Sequence, residues 1–254
     1  MKTPIANTAF LKRIKSLYPV RKPHISLAGH DAATGILSSP WYIVAAAAFS
    51  ASNKPSEVAR VFRYALQEAE DGNAKLPDRQ LLAQKMRESL FKSGLISGYP
   101  KWNCATYISI GRCCHHSMAT AESFTSSFRN PNAPLADYAK TGQALFNTIY
   151  GETAGDVQNM LNAIYPDMGW FSTTIGYGLT YGYTDILSPL ETSYTLVAAL
   201  IAGDTPQQIK WHLKGACRAG ASLEQVKAVR EIAMDVAQES GVEWREEVPP
   251  VEES

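Results

Sequence analysis

What this chain lacks first is charge of one sign: its 24 lysines and arginines are balanced by 24 aspartates and glutamates. No basic stripe with interleaved aromatics occurs either, so the electrostatic footprint of a nucleic-acid binder is missing and no such partner is expected. Long apolar runs are also absent. The most apolar stretch, Trp41 to Phe49, falls well short of the ~20 residues needed to cross a bilayer, so no membrane partner is expected and the protein should be soluble. Cysteine is scarce: Cys104, Cys113, Cys114 and Cys217 are too few and too unevenly spaced for a secreted disulfide framework, and no signal peptide is recognisable before them. An intracellular, reduced setting follows. No sustained alternation of period two appears in any segment, which excludes a sheet and predicts an all-α fold.

What the chain does have is apolar content and helix punctuation. With 45% hydrophobic residues, 254 residues fill one large or two small domains. Between Leu187 and Gly241 three helices carry their own start and stop signals. Ser188, Pro189 and Glu191 open the first as a capping box, and Gly203 closes it. Thr205, Pro206 and Gln208 open the second in the same grammar, with Gly220 as its left-handed stop. Ser222 and Gln225 open the third. In the middle helix Ile209, Leu213 and Ala216 form an apolar stripe, and the helical period sets His212 on that stripe. A titratable ring is thereby aimed at the interior.

The run LSPLETSYTLVAALIAGDTPQQIKWHLKGACRAGASLEQVKAVREIA resembles the carboxymuconolactone decarboxylase family, which shares its all-helical fold with the alkylhydroperoxidases named for AhpD. The resemblance covers the C-terminal third. In the peroxidase branch a glutamate and a CxxC pair precede the histidine. Aligned on His212, the cysteines fall on Thr205 and Gln208 and the glutamate on Ser193, so the histidine alone matches. The decarboxylase branch keeps the histidine without the cysteine pair, and it is this branch that the chain is similar to.

The helical unit is expected twice. SSPWYIVAAAAFSASNKPSEVARVFRYAL lies over LSPLETSYTLVAALIAGDTPQQIKWHLKGAC with gaps, matching Pro55 to Pro206 and Val61 to His212. Chance similarity between alanine-rich helices is the competing explanation. The expected organisation is a degenerate AhpD-like unit over 1–110, a linker over 111–134, a decarboxylase-like unit over 135–242 opening with a helix from Leu135 to Tyr150, and an acidic, solvated tail over 243–254. The segment from Asp156 to Tyr183 is rich in aromatics and glycine, including Tyr177 and Tyr181. It reads either as a helix packed closely at its glycines or as the aromatic wall of a cavity.

Each chemical candidate has a plainer alternative. His212 is either a hydrogen-bonded core histidine or the proton-transfer group that the resemblance implies. Glu191 is a candidate second acid, although its place three residues after Ser188 also makes it a cap. Tyr194, Thr205, Gln208 and Ser193 are candidate substrate-binding residues, with Asp204 a further substitute for the missing relay acid. Cys113, Cys114, His115 and His116 hold zinc-type ligands, but four consecutive residues cannot converge on one tetrahedral ion, so no metal site is assigned.

The resemblance implies a cofactor-independent acid/base enzyme, a lyase or isomerase acting on a small organic acid, lactone or related carbonyl compound, with His212 and Glu191 catalytic. Two alternatives stand beside it: a thiol peroxidase, and a non-catalytic oligomeric binding protein of the same fold. Self-association is expected as well. A cytoplasmic location is expected. The basic N-terminal region, Lys2 to Lys22, also fits a mitochondrial presequence, with a docked amphipathic helix near Phe10 to Leu17 as the favoured reading. The C-terminal EES differs from a peroxisomal SKL signal.

Overall fold

The computed structural model describes residues 3–19, 35–106 and 127–252, and among these the fold is all-α, with no strand. The quartet Cys113 to His116 and part of the 111–134 segment lie outside the described residues. Among the described residues the first α-helices are α1 (Thr8–Leu17), α2 (Trp41–Ala51), α3 (Pro55–Asp71), α4 (Leu76–Ser97), α5 (Tyr99–Thr106), α6 (Leu135–Tyr150) and α7 (Ala154–Ile164). A short α8 (Pro166–Trp170) runs directly into a π-helix (Phe171–Tyr181), followed by α9 (Pro189–Ala202), α10 (Pro206–Arg218) and α11 (Leu223–Glu239).

Two helices form the centre because they are apolar on every side. Every residue of α2 is buried, and so is all of α9 from Thr192 onward. A helix without a polar face must be surrounded, and here α2 and α9 lie against each other with α4 and α11 packed on both. Amphipathic α3 and α10 cover this layer with one face each: α3 buries Val58, Val61, Phe62 and Ala65, while α10 buries Ile209, His212, Leu213 and Ala216. The stripe expected for α10 is therefore present, and α1 docks through Phe10, Leu11 and Ile14.

The capping signals are fulfilled at two of three positions. Ser188 Oγ accepts from the Glu191 amide at 3.2 Å while Glu191 Oε2 accepts from the Ser188 amide at 2.9 Å, and Ser222 with Gln225 repeats the exchange. Thr205 differs. It stands at the start of α10, but its hydroxyl donates back to Leu200 O at 3.2 Å and caps nothing. The left-handed residue of that turn is Asp204 (φ 52°) rather than Gly203, whereas Gly220 adopts the expected φ of 97°.

A solvated tail is not what the structure shows for 243–252. Trp244 Nε1 donates to Ile201 O at 2.8 Å, Val248 is buried, and Arg230 donates to the Val248 and Pro249 carbonyls. Glu252 pairs with Lys210 and Lys214. Tryptophan and valine in the acidic segment supply the apolar area that composition alone obscured.

α5 packs against α3 and α4, while α6, α7, α8 and the π-helix form a side arm. The π-helix lies along α6 so closely that a Cβ at Gly178 would collide with the Tyr138 carbonyl, and one at Gly142 with the Thr173 carbonyl. Gly178→Ala should therefore cost roughly 1–3 kcal/mol through forced separation of the two backbones. Gly155, in the first turn of α7, has nothing within 4 Å of where a Cβ would stand, so Gly155→Ala should be neutral or stabilising by up to ~1 kcal/mol. Denaturant midpoints of the two variants check both values, and equal stabilities would refute the close crossing.

Candidate functional site

The end of the π-helix is held by two cations. Its last carbonyls have no helical partners of their own, and such orphans favour positive groups. Arg129 donates from Nε to Leu179 O at 2.7 Å and from Nη2 to Thr180 O at 2.9 Å. Lys92, fully enclosed, donates from Nζ to Tyr181 O at 3.1 Å, Tyr183 O at 2.6 Å and Thr192 Oγ1 at 2.8 Å. Glu88 offsets part of their charge, forked against Arg129 and 3.8 Å from Lys92 Nζ. Burial pulls the Lys92 ammonium down to about 8, against the opposing pull of Glu88. All three ammonium protons have acceptors, so this lysine is structural.

That clamp fixes the helix carrying Tyr177, and Tyr177 meets His212. Its hydroxyl stands 3.4 Å from His212 Nε2 and donates to Tyr150 Oη at 2.9 Å; Tyr150 in turn donates to Gln208 Oε1 at 3.2 Å. Four polar side chains from α6, the π-helix and α10 thus form one chain. Tyr150 is braced edge-on by Trp211 and Phe146 lies against both tyrosines. Burial drives His212 down to about 4 and raises both tyrosines, so ring and phenols are all uncharged near neutrality.

This chain is the polar floor of a cleft of about 300 Å³. Leu95, Ile96, Val157, Leu161 and Leu200 supply apolar wall, and Gly176 and Tyr181 line it from the π-helix. Among the described residues lining it, none carries a formal charge. At the mouth, Met160, Met168 and Phe171 from α7, α8 and the π-helix remain largely exposed. Both readings of the aromatic segment are thus realised, since Gly178 permits close packing while Tyr177 and Tyr181 line a cavity.

Of the candidates read from sequence, His212 and Gln208 come together here. Glu191 does not: it is held by Lys85 and by its own cap on Ser188, on the far side of α9 from the cleft lining. A carboxylate already paired twice has no reach toward His212. Tyr194 packs in the main core, edge-on to Tyr18 with centroids 6.3 Å apart, and Ser193 is buried without lining the cleft. Thr205 is spent on Leu200 O, and Asp204 binds Arg245 at 2.7 Å, which lowers its carboxyl. Burial pushes the Cys217 thiol up, away from the thiolate that a peroxidase needs. Tyr150 and the role of Tyr177 were not legible, because neither lies in the C-terminal run and no spacing links them to position 212.

No protein-family model and no solved structure matches the chain. Two curated proteins do. "Peroxisomal protein 2" of Schizosaccharomyces pombe is 28% identical over 207 residues, spanning 82% of this chain and 90% of that protein. "Peroxisomal protein 2" of Saccharomyces cerevisiae is 27% identical over 268 residues, spanning 82% and 91%. These relatives correct two expectations. Over most of the chain the similarity is to proteins named for the peroxisome, not to a carboxymuconolactone decarboxylase, and the same names overturn the cytoplasmic and mitochondrial readings.

The buried ring gives a signed pH dependence. His212 binds its proton at about 4 when folded and near its ordinary 6.5 when unfolded, so the unfolded chain takes up more protons between those values. Stability should therefore fall as pH drops from about 6.5 to about 4, by about 3 kcal/mol in all, and no further below. Denaturation of the wild type and of His212→Gln across that window isolates the effect; identical acid limbs would refute an uncharged, buried ring.

Proposed function

We propose that this chain acts in the peroxisome and binds a small, largely apolar molecule in the cleft above His212, Tyr177, Tyr150 and Gln208. The observation that carries the binding role is the uncharged, hydrogen-bonded floor beneath an apolar wall. Ligand sites commonly combine such a wall with a few convergent polar groups. Similarity to two proteins named for the peroxisome, over four-fifths of the chain, supports the location.

A doubled helical unit fits the same reading and is part of it. The turns before α3 and α10 agree residue by residue: Asn53 and Asp204 have φ of 58° and 52°, and Lys54 and Thr205 have φ of −118° and −120°. Pro55 and Pro206 then open the two helices. Val61, buried, stands where the second unit has His212, so the histidine of the floor belongs to one unit alone.

Calorimetric titration with eight-carbon probes (2-octanone, octanoate and octylammonium) should give saturable, single-site heat with at least one of them. Gly176 lines the cleft, and a Cβ there would make only ordinary contacts, 3.7 Å from Leu95 Cδ2 and 3.8 Å from the Phe171 carbonyl. Gly176→Leu should fill the cleft and abolish the heat; undiminished binding would place the guest elsewhere. A fluorescent fusion expressed in yeast should coincide with a peroxisomal marker, and a diffuse signal in cells with intact peroxisomes would refute the location.

A further inference from the structure

The direction of the hydrogen bonds in the floor restricts what the cleft can hold. Gln208 Oε1 accepts from Tyr150, Tyr150 Oη accepts from Tyr177, and His212 Nε2 stands 3.4 Å from the Tyr177 oxygen. Each hydroxyl proton is therefore committed inside the chain. Within this chain of four the donor left over is the Gln208 amide nitrogen, whose protons have no acceptor among the described residues, and Ser172 and Tyr181 add hydroxyls to the lining beside it.

Charge points the same way. None of the described residues lining the cleft is lysine, arginine, aspartate or glutamate. The two cations at the end of the π-helix, Lys92 and Arg129, are engaged by carbonyls, by the Thr192 hydroxyl and by Glu88. An anion or a cation entering the cleft would lose its hydration and gain no counter-charge, a penalty far larger than that for an uncharged oxygen.

Resting on the binding role proposed above, we infer that the cleft selects an uncharged hydrocarbon-rich guest with one hydrogen-bond-accepting oxygen, of the ketone, ester or quinone type, which receives a hydrogen bond from the Gln208 amide. Its apolar body lies along Leu95, Val157, Leu161 and Leu200, and its oxygen faces the floor. Carboxylates and amines of the same length are rejected in their charged forms.

The eight-carbon probes separate this inference from the reading beneath it. At pH 7, 2-octanone should bind at least roughly tenfold more tightly than octanoate or octylammonium, because neither charged group finds a partner. Gln208→Glu places a carboxylate beside the acceptor oxygen in place of the donating amide. It should weaken 2-octanone by roughly tenfold or more, with a circular dichroism spectrum and melting midpoint close to those of the wild type. Gln208→Asn, which keeps an amide on a shorter arm, should retain more affinity than Gln208→Glu and covers the case in which the glutamate variant fails to fold. Octanoate or octylammonium binding as tightly as the ketone in the Gly176-dependent site would overturn the selectivity while leaving the binding role intact. Absence of saturable heat from all three probes would overturn both.

Discussion

Two cations on the last carbonyls of one helix decide where the site's chemistry lies. Lys92 and Arg129 bind the Leu179, Thr180, Tyr181 and Tyr183 carbonyls, and Glu88 keeps their combined charge tolerable away from water. Buried ionic groups gain little over apolar packing unless their partners are complete, and here they are. A π-helix has poorer internal hydrogen bonding than an α-helix and is normally short, so an eleven-residue stretch needs external support. The cations support its C-terminal end, and the close crossing with α6 at Gly142 and Gly178 supports its length. Tyr177 is thereby brought within 3.4 Å of His212.

The chain of consequence runs outward from there. A fixed Tyr177 orders Tyr150, Tyr150 orders Gln208, and the four polar groups lie in one hydrogen-bonded chain. Burial among them keeps the histidine uncharged, and the same uncharged surround favours an uncharged guest. Glu191 of α9 stays out of this network, held by Lys85 and Ser188. Its carboxylate serves the helix start and the α4 to α9 contact instead.

Much of the fold was legible because its signals are local. Periodicity in α10 put His212 inward with Ile209, Leu213 and Ala216, and the capping boxes at Ser188 and Ser222 were spelled out within four residues each. The helix from Leu135 to Tyr150 was likewise set by its flanking proline and glycine. Thr205 misled because the following proline and a left-handed Asp204 redirect its hydroxyl to the preceding helix. The site itself was half legible. His212 and Gln208 lie four residues apart on one helix, whereas Tyr150 and Tyr177 reach them across 58 and 35 residues, and only packing brings such groups together. Similarity to the decarboxylase family rested on that same local helix, so it could not register that the surrounding tyrosines, rather than a glutamate, complete the environment; the two peroxisomal relatives match over most of the chain.

The proton affinity of His212 reports whether the clamp governs the site. Lys92→Met, Arg129→Met and Glu88→Gln together remove both cations and the carboxylate they share, and ¹H–¹⁵N NMR titration of the imidazole then reads the floor of the cleft directly. If the cations hold the π-helix over the ring, releasing its end admits water and His212 should titrate well above its value of about 4, toward 6.5. An imidazole still titrating near 4 in the folded variant would show that Tyr177 and its helix keep their place without the clamp, contradicting the account.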